Sequence, residues 1–342
     1  MVGKQRHISL KDLASQLGVS IATVSRALRN SPEIGAEMRE RVNNLAKELK
    51  YRPNPFAQSL RREAPRIIGV VVPNLVTHYY AGVLDGIEDA AIQSGYSMII
   101  SNTHEDYQKE VRAIDNFVSL HVEGIIACLA QDTTDYTHFT NLKAMNIPLV
   151  FFARTSLNDE FSSVIANGDE AAQMATQHLI DTGSLRIGFI GGPNHLDMVR
   201  RRKHGYLEAL RLNGMPIDRS LVECHRIDFD DAYQHTSAML SLPNPPDAIL
   251  AFNDIITFAA LQAIQDRGLR IPDDVALIGF TDDRHATYIT PKISAIMDQA
   301  HLTGERACQL LLKQINGDTS IYHEVVPMIL EIRDSSSKKK EK

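Results

Sequence analysis

The sequence predicts an all-α helix-turn-helix headpiece followed by an α/β core of two doubly wound, parallel-sheet subdomains. Three observations carry that expectation. Apolar residues recur at helical spacing through the first fifty positions, with Gly and Ser between the runs. From Arg66 on, short apolar runs rich in β-branched residues alternate with amphipathic segments, the order that builds parallel sheets. The strand candidates number about a dozen, more than one open sheet usually holds, so two similar halves joined by a hinge are expected.

Each element has a local reason. In "SLKDLASQLG", Ser9 is the N-cap and Asp12 its partner, with Leu10, Leu13, Ala14 and Leu17 along one face. Gly18 ends that helix. Ser20 caps a second, whose Val24, Ala27 and Leu28 face inward. A third run places Met38, Val42, Leu45, Ala46 and Leu49 at helical spacing, completing a helix-turn-helix unit. Pro53, Pro55 and Pro65 then punctuate a segment in which "FAQSLRRE" makes two helical turns at most. So short a helix orders only against something else, such as DNA or a second copy.

The core starts with "IIGVVVP", a run suited to a strand buried on both faces. An amphipathic segment and the strand "YSMIIS" follow. Helices are expected at 108–120 and 135–145, with strands "GIIACL" and "PLVFFA". After Ser162 the pattern restarts with "SSVIA" and runs through helices at 169–182, 198–213, 230–241 and 254–267. Their strands are "RIGFIGG", a stretch near 222–226, "AILAFN" and "VALIGF". The tail "SSSKKKEK" is expected to be disordered.

The 342 residues are 44% hydrophobic and 23% charged, a globular composition of more than one domain. Charge is unevenly placed. Residues 1–66 hold 13 Lys and Arg against 6 Asp and Glu, a net of +7, and the remainder carries −13. A basic end on an acidic body points to a polyanion partner for that end; the plainer reading is a solvated basic helix pair. No apolar run approaches the ~20 residues of a membrane span. The start "MVGKQRHISLKDL" lacks a signal-peptide run, which makes the cytoplasm the expected compartment. Cys128, Cys224 and Cys308 are scattered and form no metal-like cluster.

In a helix-turn-helix the second helix enters the major groove by its N-terminal end. Ser20, Ile21, Ala22, Thr23, Ser25 and Arg26 occupy or border that end. Arg26 and Arg29 donate to guanine or phosphate, and Ser20 and Thr23 bond phosphate. Ile21 and Ala22 read by methyl contact and shape alone. Ser9 and Leu10, opening the first helix, join this DNA-facing set. A plain three-helix bundle is the competing reading.

"ISLKDLASQLGVSIATVSRALRN", then "LKYRPNPFAQSL", "PDAILAFNDIITFAALQAIQDRGLRIPDDVALIGF" and "LEIRDSS", resembles the lactose-repressor and galactose-repressor family of bacterial transcription regulators. The resemblance covers nearly the whole chain in order and spacing. It implies a DNA-binding headpiece, a hinge helix, and an effector-binding core of the periplasmic-binding-protein type that dimerises. The implied division is 1–52 for the headpiece, 53–66 for the hinge, 67–334 for the core and 335–342 for the tail. One core half takes 67–161 with 293–325, the other 162–292 with 326–334. Ile21 and Ala22 match the positions that set operator preference. Leu60 matches the residue that wedges a central base step from the minor groove. Tyr51, Asn54, Ala57 and Gln58 match backbone or minor-groove contacts. Gly35 and Met38 depart from the family's Ser and Thr at the third helix's start, which predicts a weaker phosphate grip there.

The resemblance also places an effector between the core halves, at the carboxyl ends of the strands. Tyr79 and Tyr80 match an aromatic pair that stacks on a sugar or base, and Arg154, Arg202, Asn253 and Asp298 match polar positions. Two family aspartates are replaced, by Ala153 and by Thr281. Losing both predicts a relatively basic cleft and an anionic effector, a sugar acid or sugar phosphate, rather than a plain sugar. The partners expected are therefore operator DNA, a small effector and a second copy of the chain, with no membrane, cofactor or metal. An enzyme reading finds no support: "GFIGGPN" lacks GxGxxG spacing, and His178, His204 and His225 serve no nucleophile. The rival function is a small-molecule sensor whose headpiece does not regulate DNA.

Overall fold

The computed structural model describes residues 8–49, 51, 66–155, 160–281 and 283–337. The chain forms two compact units, residues 1–65 and 66–342.

In the first unit, α1 spans Leu10–Leu17, α2 Ile21–Leu28 and α3 Ala36–Glu48. The expected capping box is present. Ser9 N–H donates to Asp12 Oδ2 at 2.8 Å, and Asp12 N–H donates to Ser9 Oγ at 3.3 Å. Gly18 ends α1 at φ 67°, a left-handed conformation that suits Gly. Leu13, Ala14, Val24, Ala27, Val42 and Ala46 form the core of the bundle.

The second unit starts with β1 (Ile67–Val72), α4 (His78–Gln93), β2 (Ser97–Asn102), α5 (Tyr107–Ser119), β3 (Gly124–Ala127), α6 (Thr137–Ala144), β4 (Leu149–Phe152) and β5 (Ser162–Ala166). Next come α7 (Gly168–Asp181), β6 (Ile187–Gly191), α8 (Asp197–Leu212), β7 (Val222–Cys224), α9 (Phe229–Met239), β8 (Ala248–Ala251), α10 (Asp254–Asp266), β9 (Ala276–Phe280), α11 (Asp283–Tyr288) and β10 (Ser294–Met297). Last are α12 (Ala300–Ile315), β11 (His323–Val326) and β12 (Ile329–Glu331). Among the described residues these strands form two sheets, ordered β11-β5-β4-β3-β1-β2 and β12-β10-β9-β8-β6-β7. All neighbours pair in parallel except β12, which runs antiparallel to β10. Helices cover both faces, so the inner strands read as unbroken apolar runs.

The expected boundary between the halves is corrected in three places. "SSVIA" pairs with β4, Val150 facing Ser162, and so belongs to the first sheet. Residues 294–297 pair with β9 in the second sheet. Ser335 and Ser336 are fully buried, Ser335 Oγ donating to the Leu277 carbonyl, so the ordered chain extends past 334. The physical reason is common to all three. A short apolar segment fits either sheet, and its place is set by hydrogen bonds to strands far off in sequence. The chain thus passes between halves after β5, β10 and β11, and Asn167 Oδ1 ties two of these crossings by accepting from Met328 N–H at 2.7 Å.

Candidate functional site

On the headpiece, α2 turns Val24 and Ala27 inward and leaves Ile21 and Ala22 exposed at its N-terminus. Ser20 Oγ caps the helix by accepting from Thr23 N–H at 3.1 Å. Arg29 folds back along α2, donating from Nε to the Ser25 carbonyl and from Nη2 to Ser25 Oγ, both at 3.1 Å. Arg26 meets Glu33 at 3.2 Å with both side chains more than half exposed, a contact worth little against a phosphate. Leu10 and Tyr51 are half-buried against the bundle core, and burial pushes the Tyr51 phenol pKa up. Met38 packs there too, and Gly35 caps α3 without a side-chain bond. Asn54, Ala57, Gln58 and Leu60 lie outside the described residues.

In the second unit, a cleft of about 620 Å³ opens between the two sheets' carboxyl ends. Tyr79, Tyr80, Arg154, Arg202, Asn253, Thr281 and Asp298 all line it. Their convergence follows from the fold, since each lies just past a strand or on the first turns of the helix that follows. Tyr79 and Tyr80 meet edge to face at 5.3 Å, and Tyr80 also backs onto Phe152. Desolvation raises both phenols well above their usual pKa, so both stay neutral donors. Asn253 Oδ1 caps α10 by accepting from Ile256 N–H at 3.0 Å, which leaves its amide NH2 for the cleft.

The two arginines are held differently. Arg154 Nη1 donates to Glu105 Oε2 at 2.6 Å and to the Leu129 carbonyl at 3.2 Å, while its buried Nε has no partner among the described residues. Arg202 is 4% exposed and lies 3.8 Å over the Phe280 ring. Its Nη1 donates to the Phe252 carbonyl. Asp298 stands 3.7 Å from Arg202 Nη2, too far for a hydrogen bond. Desolvation is the largest influence on each, pulling Arg202 down and pushing Asp298 up, only partly opposed by their mutual attraction. Thr281 Oγ1 is also buried, with no partner among the described residues. Buried polar groups left so incompletely paired are costly, and a hydroxylated ligand supplies what they lack.

Glu105, Gln131, Asp254, Phe252 and Phe280 also line the cleft and were not among the expected residues. The signal was present: Glu105 follows β2 and Gln131 follows β3, just as Arg154 follows β4. Glu105 and Asp254, added to the expected Asp298, change the charge account. Among the described residues the cleft sets three carboxylates against two guanidiniums, so the expected basic cleft is corrected. The acids came from strand ends other than those where the family's aspartates were missing. A further contact closes across the cleft: His195 Nε2 lies 2.6 Å from the Gln131 carbonyl oxygen. Among the described residues no helix is long and apolar enough to cross a membrane.

Residues 9–54 match the family of bacterial regulatory proteins of the lacI type, and residues 176–336 match a periplasmic binding protein-like domain. The chain is 30% identical over 336 residues to catabolite control protein A of Priestia megaterium, covering 96% of this chain and 99% of that protein. It is 32% identical over 317 residues to the ribose operon repressor of Bacillus subtilis (strain 168), covering 92% and 94%. Among solved structures, a lac repressor dimer bound to operator and the anti-inducer ONPF superimposes with a TM-score of 0.86 at 26% identity, over 97% of this chain and 99% of that one. A complex of the transcriptional regulator CelR with cellobiose gives 0.73 at 27% identity, over 96% and 99%.

Proposed function

The chain belongs to the lacI family of bacterial regulatory proteins, ligand-responsive regulators that bind DNA, and we propose that it is a repressor working as a dimer on a pseudo-palindromic operator. Two copies of α2 enter the major groove of the half-sites. Ile21 and Ala22 face the bases, while Ser20, Thr23, Ser25, Arg26 and Arg29 hold phosphate and guanine. Ser9 and Leu10 at the start of α1, with Tyr51, brace the backbone. Residues 54–62 order on DNA, where Asn54, Ala57 and Gln58 line the minor groove and Leu60 wedges the central step. Inserting an apolar side chain costs a few kcal/mol of unstacking and gains a bent, wider interface.

The ligand is a small, hydroxylated, sugar-like molecule. The observation that carries this is the set of under-paired groups in the cleft: the buried Arg154 Nε and Thr281 Oγ1, which find no partner among the described residues, and the half-buried Asp298 standing 3.7 Å from Arg202. Aromatic Tyr79, Phe252 and Phe280 supply the apolar walls. With carboxylates already facing both arginines, a neutral sugar fits better than a sugar acid or phosphate. The ligand acts by preferring one of two core states, and only that difference in affinity reaches the DNA. The relatives are named as regulators, and no catalytic step is assigned to the cleft.

Fluorescence anisotropy on an operator selected with the full chain tests the assignment. Leu60→Ala is expected to weaken operator binding at least tenfold and to leave sugar affinity in calorimetry unchanged. Equal operator affinity in the variant refutes the wedge.

A further inference from the structure

We infer that Glu223, His225 and His235 form a site for a divalent transition-metal cation of the zinc type at the edge of the second sheet. Strand β7 is the last strand on that edge. Glu223 and His225 are two residues apart on extended chain, so their side chains leave on the same face. Cys224 between them points the other way and packs against the subdomain core. His235 reaches the same spot from α9.

Glu223 Oε2 lies 2.6 Å from His225 Nε2 and 3.6 Å from His235 Nδ1. The two imidazoles stack with centroids 3.5 Å apart and planes 9° from parallel. Donor atoms of all three residues lie within 4.8 Å of one another. Zinc bonds of about 2.0–2.1 Å set tetrahedral ligands roughly 3.3 Å apart, so for the three donors to share one ion one imidazole swings out of the stack and the 2.6 Å Glu223–His225 contact opens.

The donor set decides the cation. Two imidazoles and one carboxylate suit a late first-row divalent ion, while calcium and magnesium take oxygen shells. Three protein donors leave a fourth position for water. An outer carboxylate stands near, just beyond hydrogen-bond distance. Asp231 Oδ1 lies 3.6 Å from His235 Nε2, the nitrogen turned away from Glu223. Its Oδ2 accepts from Arg226 N–H at 3.1 Å. Metal-bound imidazoles commonly carry such a partner on their second nitrogen. A cation here ties the edge strand to α9 across the loop 225–228. That loop carries Ile227, which lines the ligand cleft, so occupancy stiffens one wall of it.

The test uses the untagged full-length chain, stripped with a chelator and titrated with Zn2+ against a chromophoric competitor. One equivalent bound at micromolar affinity or tighter is expected, with a rise in Tm. Glu223→Gln and His235→Gln are each expected to weaken binding at least tenfold and abolish the Tm rise. His204→Gln, an exposed residue on α8, leaves both unchanged. Circular dichroism checks that the variants keep the fold. No equivalent bound below about 10 µM in the wild-type chain, or wild-type binding in the Glu223 and His235 variants, overturns the site.

Discussion

Thr281 directly follows β9 with its hydroxyl buried and without a partner among the described residues, so its substitution separates folding from binding. Thr281→Val keeps the shape and removes a polar atom that costs roughly 1 kcal/mol or more when left unpaired. Urea unfolding of the ligand-free variant is expected to show equal or slightly greater stability. Calorimetry with a neutral sugar that binds the parent is expected to show about tenfold weaker affinity. A variant that binds the sugar as the parent does would remove Thr281 from the ligand's reach. At the other end of the chain, Ile21 and Ala22 bring no bidentate donor or acceptor to a base edge. Exchanging the two is expected to change the sequence recovered from a binding-site selection while leaving nonspecific binding intact. An unchanged recovered sequence means that some other residue sets the preference.

Among the elements, close helix pairs are set by glycine. A Cβ on Gly205 of α8 would overlap the carbonyl oxygen of Asp169 in α7, and one on Gly304 of α12 would overlap that of Val83 in α4. In both pairs the collision is with backbone, which has no rotamer to escape into. Gly205→Ala is therefore expected to cost about 2 kcal/mol or more, within the range of overpacked cores, despite Ala's better helix propensity. Chemical denaturation reads this directly, and a stabilised variant would mean that the two helices part more readily than their packing indicates. The helical elements were legible in sequence because their signals are local: Ser9 with Asp12, Gly18, Ser20 with Thr23. Register and sheet membership were less so. "SSVIA" carried no mark of which half it joins, and the buried Ser335 and Ser336 looked like the start of a polar tail.

For the whole molecule, the uneven charge makes a direct statement about binding. The +7 of residues 1–66 against −13 elsewhere favours phosphate contact at the headpiece over the core. The logarithm of operator affinity is expected to fall linearly with the logarithm of salt, with a slope near −0.9 per phosphate neutralised. Arg26→Gln, which removes one exposed guanidinium, is expected to flatten that slope by about one unit. Salt-independent binding would return the chain to the rival reading of a sensor that does not act on DNA. The three chain crossings between core halves and the His195–Gln131 contact give the ligand one compact joint on which to act.

The amino-acid order alone marked the headpiece and the α/β alternation, because caps and periodicity are properties of short stretches, and the family resemblance it carries pointed to seven residues that line the cleft. Charge within the cleft and the gathering of Glu223, His225 and His235 arose only in three dimensions. Glu105 and Arg154 are 49 residues apart and meet at 2.6 Å; Arg202 and Asp298 face each other from α8 and the end of β10. Electrostatic balance depends on distance in space, which falls steeply over a few ångströms and leaves no trace in local pattern. The stretch after β4 looked short of acids in sequence, and the acid it needed was waiting at the end of β2.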